Sequence, residues 1–118
     1  MNQRPASSGP AESGYMSVLA EFSIVPLGKG ASVSPQIARV MQLVMESGIS
    51  YRANPMGTVI EGDWDQVMRV VRRCHEEALK DSERIVTTIK IDDRKGGGPR
   101  MDRKLESVEQ RLGKKLNR

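Results

Sequence analysis

Hydrophobic spacing along the chain switches between a period of two and a period of 3.6, and the order of the switches defines the fold. Val18, Ala20, Phe22 and Ile24 alternate onto one apolar face of a first strand over residues 17–26, with Leu19, Glu21, Ser23 and Val25 on the other. Pro26 ends the ladder and Leu27-Gly28-Lys29-Gly30 forms a loop. Ile37, Val40, Met41, Val44 and Met45 then recur at helical spacing, between Ser34 as N-cap with Pro35 at the first helical position and Gly48 as the left-handed stop. Residues 49–53 and the β-prone run Thr58-Val59-Ile60-Glu61 flank the turn residues Asn54-Pro55-Met56-Gly57, which predicts a β-hairpin. Asp63 opens a second helix, with Gln66 three residues on and Trp64, Val67, Val71, Cys74 and Ala78 as its inward stripe, running to residue 80 or 81. A last strand covers residues 84–91, where Ile85, Thr87, Ile89 and Ile91 alternate with Val86, Thr88 and Lys90. Strand, helix, hairpin, helix, strand is the ferredoxin-like α+β arrangement, a four-stranded antiparallel sheet with two helices on one face.

The rest of the chain lies outside that unit. Residues 1–15 are rich in Ser, Pro, Gly and Ala and read as a disordered leader; residues 16–94 are the ferredoxin-like domain. Residues 95–118 begin with Gly96-Gly97-Gly98-Pro99, a decoupling loop, and continue as a third helix from Met101 to Leu116 with Met101, Leu105, Val108, Leu112 and Leu116 on a narrow stripe.

Charge changes the picture in one respect. The formal net charge is +4, yet residues 16–94 hold ten Lys or Arg against eleven Asp or Glu, whereas residues 95–118 hold eight against three. Basicity therefore belongs to the C-terminal extension, and a nucleic-acid-binding core is not indicated. Aromatic residues are 3% of the chain, so the core must be aliphatic, with seven Met as gap fillers. A single cysteine, Cys74, and the absence of a secretory pattern point to a reducing cytoplasm. No apolar run reaches the length of a membrane span. Cys74 and His75 are adjacent on a helix and diverge, no metal-ligand spacing occurs, and no Ser or Cys sits in a nucleophile pattern, so no enzyme or metal site is indicated.

Two helices cover only one face of a four-stranded sheet. The reverse face mixes Leu19, Val25 and Val86 with Glu21, Ser23, Thr88 and Lys90, too apolar for a bare surface and too charged for a core. A second copy of the chain meeting this face, with a partly polar cavity for a small ligand between copies, accounts for that mixture; the alternative is an exposed face with scattered apolar residues. The register of residues 58–61 stays open: either Val59 or Ile60 faces the helices, so Thr58 and Glu61 fall on opposite faces.

The runs Glu21-Phe22-Ser23-Ile24-Val25-Pro26-Leu27-Gly28, Gly57-Thr58-Val59-Ile60-Glu61-Gly62 with Trp64-Asp65-Gln66-Val67-Met68, His75-Glu76 and Ile89-Lys90-Ile91-Asp92-Asp93-Arg94 resemble the small thiamine-binding protein family over residues 16–112. The resemblance implies protomers pairing sheet to sheet into dimers and a dimer-of-dimers tetramer, which bind thiamine or its hydroxymethylpyrimidine portion without turnover. Such a ligand needs a carboxylate, hydroxyls and a flat wall. Glu21 and Glu61 are the candidate carboxylates, Ser23, Ser34, Thr58 and Thr88 the hydroxyls, and Tyr51 and Met56 the walls. The competing expectations are a regulatory or structural oligomer without this ligand, its third helix clasping a neighbour, and an RNA-binding module. The latter calls for exposed aromatics on the central strands, where only Phe22 occurs, on the helix side.

Overall fold

The computed structural model describes residues 17–28 and 30–118; the expectation for residues 1–15 lies outside the described residues. Strand β1 (Val18–Pro26), helix α1 (Ser34–Ser47), strands β2 (Ser50–Asn54) and β3 (Gly57–Gly62), helix α2 (Trp64–Leu79), strand β4 (Ile85–Asp93) and helix α3 (Arg103–Leu112) follow in order. The sheet runs β2-β3-β1-β4 with every neighbour antiparallel, the ferredoxin-like order.

The core lies between the sheet and α1 and α2. Val18, Ala20, Phe22 and Ile24 of β1 are buried together with Val40 and Val44 of α1 and with Val67, Val70, Val71, Cys74 and Ala78 of α2. Ile60 is also fully buried and pairs with Ala20, which settles the register: Ile60 and Thr58 face the helices, while Val59 and Glu61 face away. A one-residue slip would put Val59 in the core and drive Ile60 into solvent, at about 1.5–3 kcal/mol for that side chain alone.

Several local expectations are corrected. Val33, not Ser34, is the N-cap of α1, and no side chain caps the helix; with Pro35 in the first turn, the missing proline N–H already removes one orphan donor. Ile37 and Met45 of the α1 stripe are 38% and 57% exposed, and Val40 and Val44 are the buried positions of that helix. Trp64 is 39% exposed in the first turn of α2 rather than inward. Asp63 does cap α2, its carboxylate accepting the Gln66 N–H at 2.8 Å, and Gly48 takes φ +76° at the end of α1. The third helix is shorter than Met101–Leu116: Gly113 stops it at φ +74°, and residues 114–118 fold back so that Leu116 N–H and the Arg118 guanidinium reach Glu109. In the β2–β3 hairpin, Asn54 pairs with Gly57 and leaves Pro55 and Met56 as the two turn residues. Neither has positive φ, so the turn is not the mirror-image type that two-residue hairpins favour, and Pro55 sets its entry instead.

The C-terminal segment is docked, not decoupled. Glu61, 7% exposed on the reverse face of β3, accepts the backbone N–H of Arg100 at 2.6 Å and of Met101 at 3.2 Å. Arg100 pairs with Asp92 of β4, Lys104 with the same carboxylate, and Asp102 with Arg52 of β2. The chain's own tail thereby straps one end of the reverse face.

Candidate functional site

The opposite end of the sheet carries a cavity, and the unequal strand lengths create it. β1 has nine residues and β3 six, and their pairing ends at Phe22 with Thr58. From Ser23 onward β1 is paired with β4 alone, so the ladder groups that β3 would have met stand open. Over this open strand edge the start of α1 forms a wall of Val33, Ile37, Val40 and Met41, and the hairpin tip from Ala53 to Thr58 closes the side. The enclosed space is about 450 Å³, within the range of a small-ligand pocket.

Its walls are aliphatic and thioether, with few polar groups. Asn54 offers an amide that both donates and accepts, and Ser23 lies on the open strand. The Thr58 hydroxyl points inward and meets Met41 Sδ at 3.3 Å, a soft acceptor that a better one displaces readily. Gly57 lines the cavity with the Glu21 side chain beside it: a Cβ at this position would stand 3.4 Å from Glu21 Cγ and 3.1 Å from the Phe22 carbonyl oxygen. The carboxylate arm of Glu21 thus lies over the rim from the reverse face. Among the described residues, no Cys, His or Lys lines the space.

Of the residues expected from sequence, Glu21, Ser23, Met56 and Thr58 gather around this end of the sheet. Thr88 is Ser23's partner across β1 and β4 but exposed on the reverse face. Tyr51 pairs with Ile60 on the helix side of the edge strand, 39% exposed. Ser34 is exposed at the start of α1, next to Val33. Glu61 is engaged at the far end by Arg100 and Met101, a local reason for its burial that needs no ligand. The α1 wall of Val33, Ile37 and Met41, and Asn54 beside the turn, were not among the sequence candidates.

Elsewhere on the molecule, His75 Nδ1 and the Thr87 hydroxyl are 2.7 Å apart, so this half-buried ring meets a strand hydroxyl rather than a carboxylate. Cys74 is buried, and burial pushes its thiol up to about 11. On the reverse face, Val25 and Val86 are 48% and 45% exposed, while Leu19 and Val59 are half-buried. The described aromatics Phe22, Tyr51 and Trp64 leave the reverse face of β1 and β3 without a stacking platform.

The family model described as "Thiamine-binding protein" matches residues 20–109. A UPF0045 protein of Methanocaldococcus jannaschii is 40% identical over 91 residues, 77% of this chain and 91% of that protein. A crystal structure of a hypothetical protein from that archaeon superposes with a TM-score of 0.74 at 38% identity, covering 80% of this chain and 97% of the other. A candidate thiamine biosynthesis/salvage protein from Thermotoga maritima has a TM-score of 0.68 at 23% identity over 78% of this chain and 98% of the other, a likeness of fold.

Proposed function

The chain belongs to the thiamine-binding protein family, and from that premise we propose that it binds thiamine or a related hydroxymethylpyrimidine, without turnover, in the cavity at the hairpin end of the sheet. The observation that carries this reading is the cavity itself: apolar walls wide enough for a flat ring, with a few convergent polar groups at one rim. An aminopyrimidine presents ring-nitrogen acceptors and an exocyclic amine donor. Asn54, the Thr58 hydroxyl and the open main chain at Ser23 supply the complementary set, while Met41, Met56 and Ile37 pack on the ring faces. The thiazolium of thiamine adds a positive charge, for which Glu21 over Gly57 is the counter-charge. Among the described residues, no His, Lys or Cys lies beside the lining hydroxyls to act as base or nucleophile, which supports binding rather than chemistry.

The same reading takes in the reverse face. Val25 lines the cavity and is 48% exposed, so a second copy packed on this face would close the mouth of the site and bury Val25 and Val86. The proposed assembly is accordingly a homo-oligomer built on a sheet-to-sheet dimer.

Isothermal calorimetry with thiamine and with hydroxymethylpyrimidine tests the reading, alongside Ile37→Trp, which fills the cavity from an exposed position of α1. Saturable heat with wild type, lost in Ile37→Trp without change in melting temperature, is the expected result. Absence of both heat and thermal shift at millimolar ligand would refute it.

A further inference from the structure

We propose that the C-terminal strap carries a second ligand site, for the phosphate group of a small anion, at the end of the sheet opposite the hairpin cavity. The pocket is about 390 Å³ and is lined by Arg94, Arg100, Arg103, Lys104, Ser107 and the glycines Gly96–Gly98. Four cations line it: Arg100 and Lys104 both pair with Asp92, whereas Arg94 and Arg103 form no ion pair among the described residues.

An independent observation points to a missing anion. Arg100 is 8% exposed; its Nη2 donates to the Asp92 carbonyl at 2.8 Å, but its Nη1 is buried without any hydrogen-bond partner. A buried guanidinium nitrogen with unmet N–H groups is costly, and native structures satisfy such groups with protein, water or ligand. That nitrogen lies against the glycine loop: a Cβ on Gly97 would stand 2.7 Å from Nη1. A glycine-rich turn, a forked guanidinium and the Ser107 hydroxyl together match what an oxyanion with several acceptor oxygens requires.

The site is separate from the hairpin cavity. Arg94 follows the residue paired with Val18, and Ser23 is five residues further along β1, which puts the two pockets roughly 20 Å apart at strand rise. One small molecule does not span them, so the inference stands apart from the vitamin reading and each fails on its own test.

The experiment is a ¹⁵N-detected titration of the full chain with inorganic pyrophosphate, orthophosphate and glycerol phosphate at constant ionic strength, repeated on the double variant Arg94→Ser/Arg103→Ser. Both substituted side chains are exposed and tie no element to the sheet, so the fold and the thiamine titration should be unchanged. The expected result is saturable shifts at the Gly96, Gly97 and Gly98 amides and the Arg100 guanidinium, with affinity falling at least about tenfold in the double variant and as salt rises. Preference for glycerol phosphate over both inorganic anions assigns a phosphorylated metabolite; equal or better binding of the inorganic anions assigns free phosphate or pyrophosphate. Linear, unsaturated shifts, shifts centred elsewhere, or equal affinity in the double variant would overturn the proposal.

Discussion

Replacing Glu61 with Gln should release the C-terminal strap while leaving the sheet folded. In the native chain this carboxylate, 7% exposed, accepts two backbone N–H groups, from Arg100 at 2.6 Å and Met101 at 3.2 Å. An amide of the same shape retains one acceptor and turns an NH₂ group toward the second N–H, so one charged hydrogen bond is lost and a donor faces a donor. A hydrogen bond to a charged group contributes about 1.5–3 kcal/mol, so the total loss is about 2–4 kcal/mol. The remaining ties are the Arg100 guanidinium's hydrogen bond to the Asp92 carbonyl and the ion pairs Arg52–Asp102, Lys104–Asp92 and Arg100–Asp92, whose carboxylates are about half exposed and which contribute about 0.2–1 kcal/mol apiece. They do not compensate. Hydrogen exchange read at the Arg100 and Met101 amides should accelerate by roughly one and a half to three orders of magnitude, while Ile60 and Ala20 in the sheet keep their protection. Trypsin should cut first at Lys95, Arg100 or Arg103. Unchanged protection at Arg100 and Met101 would refute the clasp.

Other consequences follow from the same geometry. Val44→Ala removes two methyl groups from a fully buried position of α1 and should lower unfolding free energy by about 1.5–3 kcal/mol in a urea titration. Gly57→Ala places a methyl 3.1 Å from the Phe22 carbonyl oxygen and should weaken thiamine binding through the shifted hairpin while retaining the native circular dichroism spectrum. Cys74, whose thiol is pushed up to about 11 by burial, should resist a thiol reagent in native protein at pH 8 and react fully in denaturant. The Glu109 carboxyl is held below its ordinary 4.5 by the Leu116 N–H and then by Arg118, and Asp92 below its ordinary 3.8 chiefly by the Lys104 hydrogen bond. A depressed folded value means these contacts contribute fully above the ordinary carboxylate range and are lost as pH falls through the lower folded values. Exchange protection of the Leu116 amide should therefore hold at neutral pH, begin to weaken as pH falls below the ordinary 4.5 and be lost only through the lower folded value.

The architecture was legible because each element carries its own period. Alternation in β1 and β4, the Asp63 cap and the Gly48 stop act locally, and the structure keeps all of them. The register of β3 was not legible: Val59 and Ile60 are equally β-prone, and only the pairing of Ile60 with Ala20 against the helices decides between them. The candidate site was half visible. Ser23, Thr58 and Met56 fall together because the hairpin ends short of β1, a mismatch of strand lengths that local sequence does not encode. The partners of Glu61 were not legible for a similar reason, since they lie 39 and 40 residues away in a segment joined by a glycine-rich loop. The Met101–Leu116 stripe likewise suggested a longer helix, but Gly113 turns the chain back onto Glu109.

A ¹⁵N-detected titration of the chain with hydroxymethylpyrimidine tests the central claim most directly, because it reports both binding and place. The account predicts saturable shifts clustered at Ser23, at Ala53 to Thr58 and along Val33 to Met41, with the strap at Gly96–Lys104 unmoved. A spectrum that does not change at millimolar ligand, or one whose changes avoid the hairpin end of the sheet, would contradict it.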